Sequence, residues 1–192
     1  MAYVVANPSS GPGSSVDPSY AAAIIAARAA GITVLGYVDT NYNAVSTGTV
    51  KANIGLWHSL YNVSGIFFDR VSSLAADLSY YTTVCSYVTP GLKVLNHGAA
   101  PDQGYADLGD ILAVFEGNAA SWASYVPAAW FGHYPTSKLA VFIYNVATVT
   151  ALTTTLTQAT AIAGHVYITD EADDLFNALP GYLGEEVAAL KV

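Results

Sequence analysis

The chain has 192 residues, of which 53% are hydrophobic and only 10% are charged, and its mean hydropathy is +0.40. This length and composition predict one domain with a substantial core and exclude intrinsic disorder. Six basic against fourteen acidic residues give a net charge of −8, so the surface repels nucleic-acid backbones and anionic membranes, and we expect neither as a partner.

Short apolar runs alternate with helical patterns along the whole chain. Residues 3–6 predict the first strand, and Asp17 with Pro18 predicts the cap and first turn of a helix that stops at Gly31. The further strands are predicted over residues 32–38, 65–69, 92–96, 111–115, 139–144 and 165–169. The further helices are predicted over residues 47–61, 74–88, around 119–125 and 149–163, with a short turn or helix near Ala128 and a last helix after Pro180 that contains Val187, Leu190 and Val192.

Strands that alternate with helices indicate a parallel sheet, and near-continuous apolar strands indicate that both of its faces are covered. A nucleotide-binding sheet is disfavoured, because Gly11-Pro12-Gly13 lacks the third glycine of the phosphate-binding turn and its proline removes an amide. Eight strand–helix units usually take about 200 to 250 residues. The sequence therefore predicts an α/β fold, a compact TIM-like (β/α) barrel with seven recognisable units, as a single domain over residues 1–192.

Polar residues collect where the predicted strands end, whereas the strands begin mostly at turn-forming residues. The residues at the strand ends are Asn7, Asp39, Asn41, Tyr42, Asp69, Arg70, Asn96, His97, Glu116, Asn118, Asn145, Asp170 and Glu171. In a (β/α) barrel the active site lies at the C-terminal ends of the strands. This asymmetry predicts an active face, although strands that simply stop at polar residues would produce part of the same pattern.

Asp69 and Glu116 are the predicted catalytic pair. Each follows an aromatic, apolar strand, and glycoside hydrolysis needs one protonated and one ionised carboxyl group. Desolvation by aromatic neighbours favours Glu116 as the acid, and Arg70 is expected to keep Asp69 ionised as nucleophile or base. The alternative is that both carboxylates are strand-end caps or ion-pair partners.

Further residues at the same strand ends are predicted to bind substrate, with tyrosines stacking on sugar rings. They are Asn7, Tyr37, Asn41, Tyr42, Arg70, Asn96, His97, Tyr144, Asn145 and Asp170. The four histidines show no His-x-x-x-His or cysteine-pair spacing, so we expect no metal site, and no motif predicts a cofactor. The lone Cys85 excludes an intrachain disulfide.

Five segments, in order along nearly the whole chain, resemble the spherulin-4 (spherulation-specific family 4) proteins. They are Asn7-Pro8-Ser9-Ser10-Gly11-Pro12-Gly13, Gly36-Tyr37-Val38 with Thr40-Asn41-Tyr42, Gly65-Ile66-Phe67-Phe68-Asp69, Phe115-Glu116 and Tyr167-Ile168-Thr169-Asp170. The resemblance implies a (β/α) barrel similar to glycoside hydrolases, and an endo-acting α-1,4-galactosaminidase activity on galactosamine-containing polysaccharide. It also implies that Asp69 and Glu116 match the family's catalytic acidic positions.

Three departures from the family pattern bear on activity and closure. Arg70 stands where the family usually has Glu, which replaces an anion with a permanent cation. Asn96-His97-Gly98 stands in place of Asn-Pro-Gly, and members normally carry one more strand before the segment that begins at Tyr3. The missing strand must leave a gap, be recruited from elsewhere, or be dispensed with in a seven-stranded barrel.

Two functions remain open at this point. The first is a glycosidase that cleaves an amino-sugar polysaccharide, and the second is a catalytically impaired glycan-binding or structural barrel of an extracellular or phage-tail assembly. An aldolase or isomerase is disfavoured because no lysine lies at a strand C-terminal end. No secretory signal precedes Tyr3, and we expect an extracellular, cell-surface or virion-associated location reached by trimming or another route.

Overall fold

A computed structural model describes residues 2–172 and 175–190. The strands are β1 (Tyr3–Ala6), β2 (Thr33–Asp39), β3 (Gly65–Asp69), β4 (Leu92–Asn96), β5 (Ile111–Asn118), β6 (Leu139–Tyr144) and β7 (His165–Ile168). The α-helices are α1 (Pro18–Ala29), α2 (Thr47–Tyr61), α3 (Leu78–Ser86), α4 (Ala119–Trp122), α5 (Val149–Thr160) and α6 (Leu183–Leu190). Short 3-10 turns lie at Asn41–Asn43, Ala75–Asp77, Gln103–Asp107, Ala129–His133 and Thr136–Lys138.

The chain divides into two compact units. The first consists of Met1–His97 and Pro101–Leu112, and the second of Gly98–Ala100 and Ala113–Val192. The candidate catalytic residue Asp69 therefore lies in the first unit and Glu116 in the second.

In the first unit, β1 to β4 are hydrogen-bonded neighbours in chain order, and each described pair is parallel. Apolar side chains on β2 and β3 are fully buried, as expected for strands that are covered on both faces. The β2–β3 register pairs Asp39 with Asp69 at the strand ends, and a parallel pair brings such ends to the same edge of a sheet. The sheet thus places two acidic residues side by side.

Helix α2 is fitted closely onto β2. The fully buried Trp57 lies over Gly36, where an added Cβ would come within 2.4 Å of the indole ring, and Trp57 Nε1 donates a hydrogen bond to the Tyr37 carbonyl across 2.8 Å. Ser46 caps the start of α2 by accepting from the Thr49 N–H, and Asn62 ends the helix in the left-handed conformation at φ 50°. These contacts fix the position of Tyr37 beside the candidate site.

The second unit contains β5 from Ala113 onward, β6 and β7. Strands β6 and β7 pair in parallel, from Ala140 with His165 to Ile143 with Ile168. Helix α5 packs on β7 and on α6. The carboxylate of Glu186 in α6 is 2% exposed, and its Oε1 accepts a hydrogen bond from the Ile168 backbone N–H across 2.8 Å. A side chain therefore satisfies a backbone donor near the end of β7.

The prediction of an α/β fold with parallel strands is confirmed, whereas closure into a barrel stays a prediction. Several boundaries differ from those predicted, and most do so by one to three residues. The larger differences are the following. Strand β5 continues past Phe115 to Asn118, the helix predicted over residues 74–88 begins only at Leu78, and the one predicted around 119–125 is the single turn α4. Val192, which was predicted to lie in the last helix, is outside the described residues. Among the residues that are described, no helix is long and apolar enough to cross a membrane.

Candidate active site

Asp69 ends β3, and two side chains orient its half-buried carboxylate. The Tyr37 O–H donates to Oδ2 across 2.8 Å, and the Asn96 side-chain N–H donates to Oδ1 across 2.8 Å. Burial, followed by the hydrogen bond to Asp69, raises the pKa of Tyr37 above its usual range, so the phenol remains a donor. Each carboxylate oxygen keeps lone-pair capacity for a further partner. Asp69 is thus held as a fixed acceptor at a strand end.

Arg70 forms its ion pair with Asp39 and not with Asp69. Its Nε donates to Asp39 Oδ1 across 2.8 Å and its Nη2 donates to Oδ2, while the Asn41 backbone N–H also donates to Oδ1 across 2.8 Å. Burial opposes ionisation of Asp39, but the hydrogen bonds from Arg70 and Asn41 outweigh it and lower its pKa. The ion-pair partner of Arg70 is therefore Asp39, because the β2–β3 register puts this carboxylate within reach of the guanidinium. That Arg70 also keeps Asp69 ionised stays a prediction.

The loop after β2 has a strained backbone. Asn41, Tyr42 and Asn43 lie at φ 42°, 54° and 75°, and Arg70 on the facing loop lies at φ 50°. Such conformations cost on the order of 1–3 kcal/mol each in non-glycine residues and persist where surrounding contacts impose them. Here the Tyr42 N–H donates to the Arg70 carbonyl across 2.7 Å. The two loops are thus joined through their backbones, and Tyr42 is 58% exposed.

The buried Thr40 and Tyr81 tie the two loops together. The Thr40 hydroxyl lies 3.0 Å from the carbonyls of both Asp69 and Arg70 and 3.0 Å from the Tyr81 hydroxyl. Tyr81 in turn accepts from the Ser72 N–H across 2.9 Å. These contacts brace the backbone that carries Asp69.

His97 is buried next to Asn96 and makes no described hydrogen bond to Asp69. Its Nδ1 lies 3.0 Å from the Ser72 carbonyl, and its ring meets Tyr105 edge-on at 4.6 Å between centroids. Burial lowers the pKa of His97 to about 4, so the ring is neutral near pH 7. Its Nε2 has no hydrogen-bond partner among the described residues. The arrangement suits a structural support of the β4 end better than a group that touches substrate.

In the second unit, Glu116 lies within β5 and is half-buried. Its backbone N–H donates to the Gly98 carbonyl across 3.0 Å, and Gly98 adopts the left-handed φ of 64°. Glu116 borders a packing gap that is too small to admit a water molecule, and the other residues around this gap are Phe142, Ile143, Tyr144, Tyr167, Thr169, Leu175 and Phe176. Glu116 and the predicted binding residue Tyr144 are therefore close neighbours.

Three predicted binding residues support loops. The Asn7 side-chain oxygen accepts from the Gly11 N–H across 2.8 Å, and Asp170 Oδ1 accepts from the Gly181 N–H across 3.0 Å. The Asn145 N–H donates to the Glu171 carbonyl across 2.8 Å, with Asn145 at φ 58°. These contacts explain the residues' positions at strand ends without a ligand, and a binding role for them stays a prediction.

A separate cavity lies in the first unit, at the beginnings of β3 and β4. It measures about 490 Å³ and is lined by residues that include Arg28, His58, Asn62, Ser64 and Gly91. No carboxylate borders it, so it lacks the paired acidic groups that the predicted reaction requires. Within the described ranges no three His, Cys, Asp or Glu residues are grouped so as to hold a metal ion.

The sequence pattern marks Asp39 only as a strand-end residue and Thr40 only as part of a family motif, and it does not mark Phe176. The spacing Asp39-Thr40 before a turn signals a strand end but not which neighbour the carboxylate meets. Phe176 lies in a short apolar stretch between acidic and turn-forming residues, where the sequence offers no periodicity. Its place near Glu116, with 69% of the residue exposed, follows from the folded structure alone.

Taken together, these features define an α/β protein with parallel strands that carries oriented acidic and aromatic side chains at its strand ends. The model of spherulation-specific family 4 matches residues 1–190, and the chain belongs to this family. Spherulin-4 of Physarum polycephalum is 33% identical over 203 residues, which cover 97% of this chain and 61% of that protein. The chain thus spans about three fifths of the length of that curated relative.

A solved structure is also similar. The crystal structure of Aspergillus clavatus Sph3 in complex with GalNAc matches with a TM-score of 0.86 and 28% identity, over 98% of this chain and 85% of that one.

Proposed function

We propose that the protein is a glycoside hydrolase that cleaves an amino-sugar, galactosamine-containing polysaccharide. The observation that carries the proposal is the oriented carboxylate of Asp69, held by Tyr37 and Asn96 at the end of β3. Membership of the spherulin-4 family and similarity to a protein solved with bound GalNAc support a carbohydrate substrate.

Asp69 is proposed as the nucleophile or base. Its two donors restrict rotation of the carboxylate, and such fixed geometry lowers the entropic cost of reaching the transition state. Glu116 is proposed as the acid that protonates the leaving oxygen, and its mostly apolar and aromatic neighbours suit a group that must hold a proton. Tyr42, Tyr144 and the remaining N–H groups of Arg70 are proposed to contact the sugar.

Two wider expectations remain proposals. One is a single (β/α) barrel domain over residues 1–192, which the parallel strand–helix–strand connections in each unit support. The other is an extracellular, cell-surface or virion-associated location, where polysaccharide is available.

The second candidate is a glycan-binding barrel without catalysis. The position of Arg70 favours it, because the chain carries a permanent cation directly after Asp69. Two measurements distinguish the candidates. They are the release of reducing ends from a galactosamine-containing polysaccharide and the binding of the same polymer, each made for wild type and Glu116→Gln. The enzyme proposal predicts release by wild type, at least about a hundredfold less by the variant, and similar binding by both. Binding without release by wild type would favour the second candidate.

A further inference from the structure

Helix α6 is held in the second unit by a buried carboxyl group and not by an apolar face. Of its eight residues, all of which are described, Glu186 alone is buried, at 2% exposure, whereas the apolar Val187 and Leu190 are each 39% exposed. We propose that Glu186 is a pH-operated latch, which holds α6 against the end of β7 and releases it when the carboxyl group ionises. The latch goes beyond the proposed function and does not depend on it.

The contact made by Glu186 closes the free side of β7. The Thr169 N–H donates to the Ile143 carbonyl of β6 across 2.9 Å, so the N–H of the preceding residue, Ile168, points to the opposite side of the strand. In the described part of the chain β7 is the last strand of the sheet, and such an edge presents unpaired backbone groups. Glu186 Oε1 accepts from the Ile168 N–H across 2.8 Å and thus takes the place of a carbonyl from a neighbouring strand.

The surroundings of Glu186 favour a neutral carboxyl group. Its Oε2 is buried and has no hydrogen-bond partner among the described residues. Neither of the two ion pairs in that part of the chain includes Glu186. A buried carboxylate with one N–H donor and no cation is costly, so burial raises the pKa of Glu186 to about 7.

The ionisable groups around Glu186 do not compensate its charge. Helix α5, which packs on α6, carries no ionisable side chain. Tyr167 on β7 and Tyr182 before α6 interact with Glu186, and burial raises the pKa of both phenols, so they are neutral near pH 7. Asp170 and Glu171 follow β7 and would have the same sign of charge as an ionised Glu186. Ionisation therefore weakens the contact between α6 and β7.

The pH range of the release follows from the two states of Glu186. When α6 is released, the carboxyl group is in water and has its ordinary pKa of about 4.3. When α6 is bound, the pKa is about 7. Release thus becomes more favourable as the pH rises between about these two values and changes no further above them, because Glu186 is then ionised in both states.

The latch lies on the strand end beside the proposed catalytic acid. Tyr167 and Thr169 flank Ile168 in the chain, and both lie around the same packing gap as Glu116. Release of α6 would free the edge of β7 at this point. The surroundings of Glu116 would therefore be firmest at acidic pH.

The test is NMR-detected hydrogen exchange of the backbone amides in wild type, Glu186→Gln and Glu185→Gln, expressed as protection relative to an unstructured chain at the same pH. In wild type the protection of Ile168 and of the α6 amides should fall by at least about tenfold from about pH 5 to about pH 7 and then level off. Glu186→Gln keeps an acceptor for Ile168 but cannot ionise, so its protection should stay constant. Glu185→Gln changes an exposed residue of the same helix and should behave as wild type. Constant protection in wild type, or the same fall in Glu186→Gln, would overturn the latch.

The amides of β6 distinguish release of α6 from unfolding of the whole unit. Amides that exchange through release of α6 alone are less protected than those that need general unfolding. We therefore expect Ile168 and α6 to be at least about tenfold less protected than β6 at each pH. Equal protection of α6 and β6 would show that α6 does not open separately, and would contradict the latch.

Discussion

Tyr37 donates its phenolic hydrogen to Oδ2 of Asp69 across 2.8 Å, from the strand next to the one that carries the carboxylate. The contact follows from the β2–β3 register, in which Tyr37 is the partner of Phe67, two residues before Asp69. Asn96 holds the other oxygen from the strand on the opposite side. Three neighbouring strands therefore fix one carboxylate.

Tyr37→Phe removes this donor while keeping the ring. A hydrogen bond to a charged group contributes about 1.5–3 kcal/mol, so we expect kcat on the polysaccharide to fall by about tenfold or more. The control is Tyr20→Phe, which removes an exposed hydroxyl that donates to the Asn7 carbonyl. If the two variants had equal kcat, Tyr37 would have no role in positioning Asp69.

Gly36→Ala tests the fit of α2 on β2. The new Cβ would meet the Trp57 ring at 2.4 Å, and this overpacking should destabilise the fold by about 1–3 kcal/mol. Gly55→Ala is the matched control, because this glycine lies in α2 with no atom within 4 Å of an added Cβ. It should stabilise the helix by up to about 1 kcal/mol. Urea unfolding measures both, and the prediction fails if Gly36→Ala is as stable as wild type.

Asp39→Asn tests the ion pair with Arg70. Because the folded-state pKa of Asp39 is lowered, the pair contributes stability above the unfolded pKa of about 3.9 that is lost as pH falls through the folded value. The Tm difference between wild type and variant should thus be largest near pH 7 and vanish in strong acid. A difference that stays constant with pH would exclude ionisation of Asp39 as its origin.

Glu186→Gln tests the buried carboxyl at β7. Burial raises the pKa of Glu186 to about 7, above its unfolded value, although the hydrogen bond from the Ile168 N–H acts the other way. The stability of wild type should therefore be fully present at acidic pH and fall as pH rises from about 4.3 through 7. Glutamine keeps an acceptor for Ile168 but cannot ionise, so the variant should gain on the order of 1–2 kcal/mol relative to wild type between pH 5 and 8. The measurement is the free energy of unfolding in urea as a function of pH. The same pH dependence for wild type and Glu186→Gln would contradict the prediction.

The strands were predictable because each is an apolar run bounded by turn-forming residues. The end of β5 was not predictable from the sequence, because Glu116 and Asn118 are polar and yet continue the strand. They do so through backbone hydrogen bonds, such as the one from the Glu116 N–H to the Gly98 carbonyl, which no local sequence pattern reveals. The start of α3 is predicted too early, because Ala75–Asp77 forms a 3-10 turn from residues that also favour an α-helix.

The candidate site likewise contains residues that the sequence predicts and contacts that it does not predict. Asp69 and Glu116 were predicted at strand ends, since a charge after a buried strand is a local signal. The choice of Asp39 as the partner of Arg70 depends on inter-strand register, and the place of Phe176 depends on how the C-terminal segment is anchored. Both are long-range properties that one sequence does not encode in any short window.

The most direct test of the central claim is the rate of reducing-end release from a galactosamine-containing polysaccharide by wild type, Asp69→Asn and Asp102→Asn. Asp102 is the control, because its exposed carboxylate caps the start of a 3-10 turn by accepting from the Gly104 N–H. The account predicts cleavage by wild type and Asp102→Asn and a loss of at least about a thousandfold for Asp69→Asn. Equal release by all three proteins would contradict it.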